Sequence, residues 1–195
     1  MNYLAHIVLS GADPDIQVGG LLGDFVKGPL ASDYPDKITQ GIRLHRRIDS
    51  LTDSHPQFRA SLALLPAPWR RYGGILLDVY FDYLLASDWA SFGEGSLDDY
   101  CQNFYAHLHQ RRELLPERAL SFCNRAPEVR WLESYARREM IPLMLNNIGR
   151  RLRQPLPLGE AWPTLDANRR VLEQVFHPLM ASHRALAADF LRDSL

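Results

Sequence analysis

Residues Gly41 to Asp53, GIRLHRRIDSLTD, carry the reading on which the fold turns. Ile42, Leu44, Ile48 and Leu51 are apolar positions that a single helical face partly collects, so the stretch predicts a helix. His45 and Asp49 are four apart on it, as are Asp49 and Asp53. Residues so spaced sit one above another on a helix. One face therefore presents an imidazole and two carboxylates in a ladder, with Arg46 and Arg47 projecting from neighbouring angles. A metal site needs convergent nitrogen and oxygen donors on a rigid element, and this face supplies them. The same residues also describe a solvated helix face with an i,i+4 ion pair, and the stretch by itself accommodates both.

On the N-terminal side, Asp33 to Asp36 (DYPD) reads as a loop leading into this helix. Before it, Gln17 to Gly28, QVGGLLGDFVKG, is rich in glycine but lacks the Gly-Lys-Ser/Thr ending of a phosphate loop. Its glycines are read as allowing close backbone packing. Asp24 lies there among Leu21, Leu22, Phe25 and Val26. An ionised carboxylate in such company needs a partner: a cap, an arginine or a metal. Met1 to Ser10 is apolar, with Tyr3, Leu4, Ile7 and Val8 at helical spacing, although a short strand also fits. His6 is its one histidine, readable as a hydrogen-bonded core residue or as a ligand.

On the C-terminal side, Pro56 ends the central helix near His55. Phe58 to Leu65 is one or two further helical turns, and Pro66 and Pro68 break the chain. Trp69 to Trp89 then predicts a helix that is apolar nearly all round, and such a helix is buried. Asp78 and Asp82 stand four apart on it. Two carboxylates stacked in a buried helix repel one another, and they call for a cation or for protons. Leu97 to Leu115 predicts another helix, with Asp98 and Asp99 in its first turn as the macrodipole favours. His107 and His109 do not share a helix face and are read as surface residues. Val129 to Asn147 is amphipathic, and Arg150 to Pro163 is loop-like. Leu165 to Leu195 is a last long helix, with a possible interruption at His177-Pro178. No repeat or strand-type alternation is present. The expectation is an all-α, single-domain helical bundle over residues 1–195, with about seven or eight helices.

Charge and composition narrow the function. A formal net charge of −1 offers no global basic field for nucleic acid or a membrane surface. No stretch approaches the roughly 18 apolar residues of a membrane span. The opening segment lacks a basic n-region, and Cys101 and Cys123 match no metal-binding spacing, so a reduced, cytoplasmic setting is expected. His6, Asp24, His45, Asp49, Asp78 and Asp82 thus fall on apolar segments as candidate metal ligands, and Asp53 completes the ladder. Inward His and Asp from different helices are a common way to hold a divalent ion, and an oxygen-rich set suits Mg²⁺ or Mn²⁺ better than Zn²⁺. A hard ion near arginines suggests phosphate-ester hydrolysis, with Asp24, His45, Asp49 and Asp78 at the chemistry and Arg46 on the substrate phosphate.

The opening MNYLAHIVLS, the GLLGDFVKG segment, GIRLHRRIDSLTD and LLDVYFDYLL, in that order and spacing, resemble the bacterial acyl carrier protein phosphodiesterase family. The later WLESYARREM, IGRR and LDANRRVLEQVFHPLM are compatible with it. The resemblance implies a divergent HD-type metal-dependent phosphohydrolase, preferring manganese, that removes 4′-phosphopantetheine from holo acyl carrier protein. This chain departs from the standard HD pattern in having no adjacent His-Asp pair, and Tyr83 stands where the family often has a histidine. An acidic carrier implies a basic docking patch. Candidates are Arg43, Arg46 and Arg47 on the central helix, Arg70 and Arg71 before the acidic helix, and Arg150, Arg151 and Arg153 in the basic loop. Two other readings stand beside this one: a phosphodiesterase for nucleotides or another small ester, and a non-catalytic helical module.

Overall fold

A computed structural model describes residues 1–30, 34–67 and 69–193. Asp33 and Pro68, and the last two residues of the expected final helix, lie outside the described residues. The described chain is all-α. Its helices are α1 (Tyr3–Leu9), α2 (Pro14–Leu22), α3 (Asp36–Ser54), α4 (Pro56–Ser61) and α5 (Gly73–Ser87), followed by α6 (Leu97–Gln110), α7 (Glu117–Arg125), α8 (Ile141–Gly149), α9 (Trp162–Ala167) and α10 (Arg169–Arg192). Short 3₁₀ turns join several of them. No helix among the described residues is long and apolar enough to cross a membrane.

Local chemistry sets the helix starts. Asp13 caps α2 by accepting from the N–H groups of Asp15 and Ile16, with Pro14 at the first turn, where a missing N–H costs nothing. Ser96 caps α6 by accepting from the Asp99 N–H. The central helix stops at Ser54, ahead of His55-Pro56, as its sequence predicts.

Tertiary packing is organised by two crossings. The first sets α2 against α3 with their backbones almost touching at Gly19 and Gly41. A Cβ on Gly19 would overlap the Ile38 carbonyl, and one on Gly41 the Ile16 carbonyl. The glycine-rich stretch is thus a packing device, as its sequence suggests. In the second, α5 runs through the core, with Leu76, Leu77 and every residue from Val79 to Ala86 buried. It touches α1, α8 and α10. The buried apolar residues form one continuous cluster that runs from Met1 to Ala187.

Three sequence expectations need correction. The helix α7 lies where no helix was read. Residues 129–147 are not one amphipathic helix: after α7 the chain turns through Arg130 at φ 51, passes two 3₁₀ turns and re-enters helix only at Ile141-Pro142. The C-terminal interruption falls at Asn168, between α9 and α10, while α10 continues through Pro178. Apolar contacts of Phe176, Leu179 and Met180 on either side of the proline, all buried, hold the helix together across the lost hydrogen bond. The count of ten α-helices among the described residues exceeds the expected number for these reasons.

Candidate metal centre

The centre lies where α1 and α3 meet beside the end of α2. His45 on α3 is buried, and its Nδ1–H donates to the Gly20 carbonyl at 2.8 Å. A carbonyl only accepts, so this contact holds the ring proton on Nδ1. Nε2 then presents its lone pair to Asp49 Oδ2, 3.1 Å away. A lone pair facing a carboxylate oxygen calls for a positive charge between them, a proton or a metal ion. Gly23 makes room for the ring, since a Cβ there would overlap His45. From α1, buried His6 brings Nε2 to 3.2 Å from Asp49 Oδ1 and 3.2 Å from the Met1 carbonyl. The two imidazoles stack with centroids 3.7 Å apart. Candidate ligand atoms of His6, His45 and Asp49 all lie within 4.8 Å of one another.

The site gathers buried imidazoles and carboxylates. Burial, and then the neighbouring His45, push His6 down to about 3, so its ring is neutral near pH 7, with the proton on the Nε2 that faces the Met1 carbonyl and Asp49 and the lone pair on Nδ1. Burial would raise Asp49, but the adjoining His45 and His6 rings outweigh it and hold its carboxyl well below the usual range. Asp24, in the turn after α2, is raised by burial, with His45 pulling it down and Asp49 pushing it up. Its side chain has no hydrogen-bond partner among the described residues. The Met1 amino group sits at 2.7 Å from Asp78 Oδ1 and within reach of the Asp49 and Asp82 charges; burial lowers it, and these carboxylates raise it by more. Asp78, Asp49 and Asp82 therefore all act on one positive group.

The remaining sequence candidates are placed differently. Asp82 is fully buried, and its oxygens accept the N–H groups of Asn2 (3.3 Å), Leu4 (2.8 Å) and Ala5 (3.2 Å), capping α1. Burial pushes its carboxyl up to about 7, against the pull of Met1 and these donors. Asp53 is exposed, and the ladder on α3 stops at Asp49. Arg46 donates from Nη2 to the carbonyls of Val26 (3.1 Å) and Gly28 (2.8 Å), strapping down the segment that follows Asp24. Arg47 lies over the Phe190 ring, Arg71 over Tyr72, Arg70 bonds the Leu65 carbonyl, and Arg43 is exposed. Tyr83 is buried and accepts from Arg169.

Two features escaped the sequence reading. His183 on α10 is fully buried behind α3, with Nε2 at 2.9 Å from Thr52 Oγ1. The helix α7, with Arg118, Phe122 and Arg125, walls a cleft beside the centre. Its start does carry a signal, Pro116 ahead of Glu117 with Arg125 in the last turn.

Fold and site together define an all-α protein with a histidine–aspartate centre built between its first helices. A family model described as acyl carrier protein phosphodiesterase matches residues 1–183. The proteins named acyl carrier protein phosphodiesterase from Salmonella dublin, Salmonella agona and Salmonella newport are each 34% identical over 195 residues, covering 96% of this chain and 100% of the relative. No solved structure matches the chain. The chain belongs to the acyl carrier protein phosphodiesterase family.

Proposed function

We propose that this chain hydrolyses the phosphodiester between 4′-phosphopantetheine and the serine of holo acyl carrier protein, using a divalent ion, Mn²⁺ in preference to Mg²⁺. One observation carries the reading: in a chain of this family, His6, His45 and Asp49 converge within 4.8 Å beside the partnerless carboxyl of Asp24. His6, His45 and Asp49 would hold the ion, and the nearby Asp78 carboxyl adds negative charge around it. When bound, such an ion lowers the pKa of water and neutralises charge on the phosphoryl oxygens.

The chain's own residues do the rest. His45 is oriented by Gly20 and Gly23, so its Nε2 stays aimed at the centre. Asp24, raised by burial, takes a proton from the attacking water and returns it to the departing serine oxygen. The oxygen of water bonds to phosphorus, the phosphorus–serine oxygen bond breaks, and the phosphate stays on the pantetheine. Arg46 is a positioning residue here, because its guanidinium holds the backbone after Asp24. A cytoplasmic setting and a role in prosthetic-group turnover of fatty acid synthesis go with this reading. Two free, buried thiols support the reducing compartment.

The test is incubation with holo acyl carrier protein and Mn²⁺, followed by intact mass measurement. The expected result is conversion to the apo mass with release of phosphopantetheine, abolished by chelation. Hydrolysis of a cyclic nucleotide with the holo carrier left intact would overturn the assignment.

A further inference from the structure

A cleft of about 430 Å³ opens between α1, α7 and the end of α8, a size suited to a small-molecule arm. Its floor is aromatic. Tyr3 stacks on Phe25 (5.9 Å) and meets Phe122 edge-on (5.2 Å), which in turn meets Trp131 (6.4 Å). Val129 stands at its edge, 50% exposed. The Trp131 indole lines the cleft wall, with its Nε1–H turned into the interior.

Two residues of the cleft are chain neighbours of the candidate metal centre. Tyr3 lies one turn before His6 on α1, and Phe25 follows Asp24. Burial, and then Asp24, push the Tyr3 phenol up to about 12, while Arg118 and Arg151 pull it down. The Asp24 carboxyl and two cleft arginines thus both act on its hydroxyl.

The charge is the third observation. Arg118, Arg125 and Arg151 line the cleft, and none has an ion-pair or hydrogen-bond partner for its side chain among the described residues. By contrast Arg111, Arg130, Arg138, Arg169 and Arg192 each pair with a carboxylate. In a chain of net charge −1, three unpartnered guanidiniums around one cleft form a local basic face. Of the basic loop, only Arg151 reaches it, since Arg150 donates to Asn147.

Resting on the reading above, we propose that this cleft is the docking face for the acidic carrier protein: Arg118, Arg125 and Arg151 engage its carboxylates, and its arm lies over Tyr3, Phe25, Phe122 and Trp131 with the phosphate toward Asp24. Guanidinium forks suit carboxylates and phosphate, and the aromatic floor suits the aliphatic stretches of the arm. Such a face sets association more than chemistry.

The test uses the full chain with Mn²⁺ and a purified bacterial acyl carrier protein. Binding of the apo carrier, which has no bond to cut, is read by calorimetry at low and high salt. Hydrolysis of the holo carrier gives kcat and KM separately. The double variant Arg118→Glu, Arg151→Glu is expected to weaken apo binding and raise KM by roughly tenfold or more, with kcat within about twofold and a flatter salt dependence. The charge-keeping Arg118→Lys, Arg151→Lys pair retains most of the affinity, which separates docking from misfolding. Arg170→Glu, exposed on α10 and outside the cleft, leaves both readouts unchanged. Unaltered apo-carrier affinity in the double Glu variant overturns the proposal, as does loss confined to kcat, or no wild-type binding at all. If the wild-type chain leaves the holo carrier intact, the reaction assignment fails, while the apo-carrier comparison still decides the docking face.

Discussion

On α3, His45 and Asp49 stand four residues apart; on α5, Asp78 and Asp82 do the same. Asp49 is 47% exposed along its side chain and meets two imidazole nitrogens. Asp82 is 0% exposed and meets three backbone N–H groups of α1. Equal spacing places both pairs on one helix face, but what lies across from the face differs. Opposite Asp49 is the imidazole of His6, a side chain of the type that ligates metal ions. Opposite Asp82 is a helix end whose unpaired donors need an acceptor. The first arrangement leaves room for chemistry, and the second completes a fold. Asp78 lies between the two cases, at the edge of the site with the Met1 amino group on it.

Exchanging roles by mutation gives the sharpest test. Asp49→Ala is expected to lower hydrolysis about a thousandfold, some 4 kcal/mol of barrier, with thermal stability little changed. It should also remove the rise in Tm that saturating Mn²⁺ gives the wild-type chain through mass action. Asp82→Ala should do the reverse. Leaving three buried N–H groups without an acceptor costs about 3 kcal/mol, or roughly 6–12 °C in Tm for a chain of this size, with the Mn²⁺-induced shift retained. A variant of Asp82 that folds normally and loses its response to Mn²⁺ would collapse the distinction.

A smaller effect is expected at Gly23, which tests whether α3 supplies geometry as well as donors. Gly23→Ala puts a methyl group against the His45 ring. Displacement of Nε2 by even about 1 Å should reduce kcat by up to a hundredfold, while helicity by circular dichroism stays near normal. Full activity in this variant would mean that the ring orientation seen here does not matter to turnover.

The least effect concerns the layer behind α3. Burial, and then the Met1 charge, push His183 down to about 3 from an ordinary value of 6.5. Between those values the unfolded chain takes up a proton that the folded chain refuses. Stability contributed by the neutral ring is therefore present above about pH 6.5 and is lost as pH falls toward 3, at no more than about 1.4 kcal/mol per pH unit. Chemical denaturation at several pH values should show this slope, and His183→Gln should flatten it. An unchanged slope would assign the acid lability to other groups.

The sequence reading reached different depths in different places. The helix around His45 was legible because its apolar period is regular and Pro56 marks its end. The glycine contacts of α2 with α3 were legible as a need for close approach, although the partner of each glycine was not. α7 carries only a brief periodic signal because it is short and bounded by turns, and the amphipathic run from Val129 conceals a turn at Arg130 whose positive φ no periodicity reports. Pro178 looked like a break and was not one, since contacts on both sides of it hold α10 straight through. The family was legible from four blocks in order, and the match over residues 1–183 agrees with that reading.

Composition and period alone determined that this chain is helical, that its polar exceptions are His and Asp on apolar segments, and that its net charge is close to zero. Those are local properties, written every three or four residues. Only the tertiary structure decided which of the exceptions meet. His6 and His45 lie 39 positions apart, yet their rings touch because α1 and α3 are brought together beside α2. Asp82, which any spacing rule would group with them, is drawn to the end of α1 by backbone donors that must be satisfied once buried. A carboxylate's role follows from whichever unsatisfied partner the packing brings to it, and spacing along one helix carries no information about that partner.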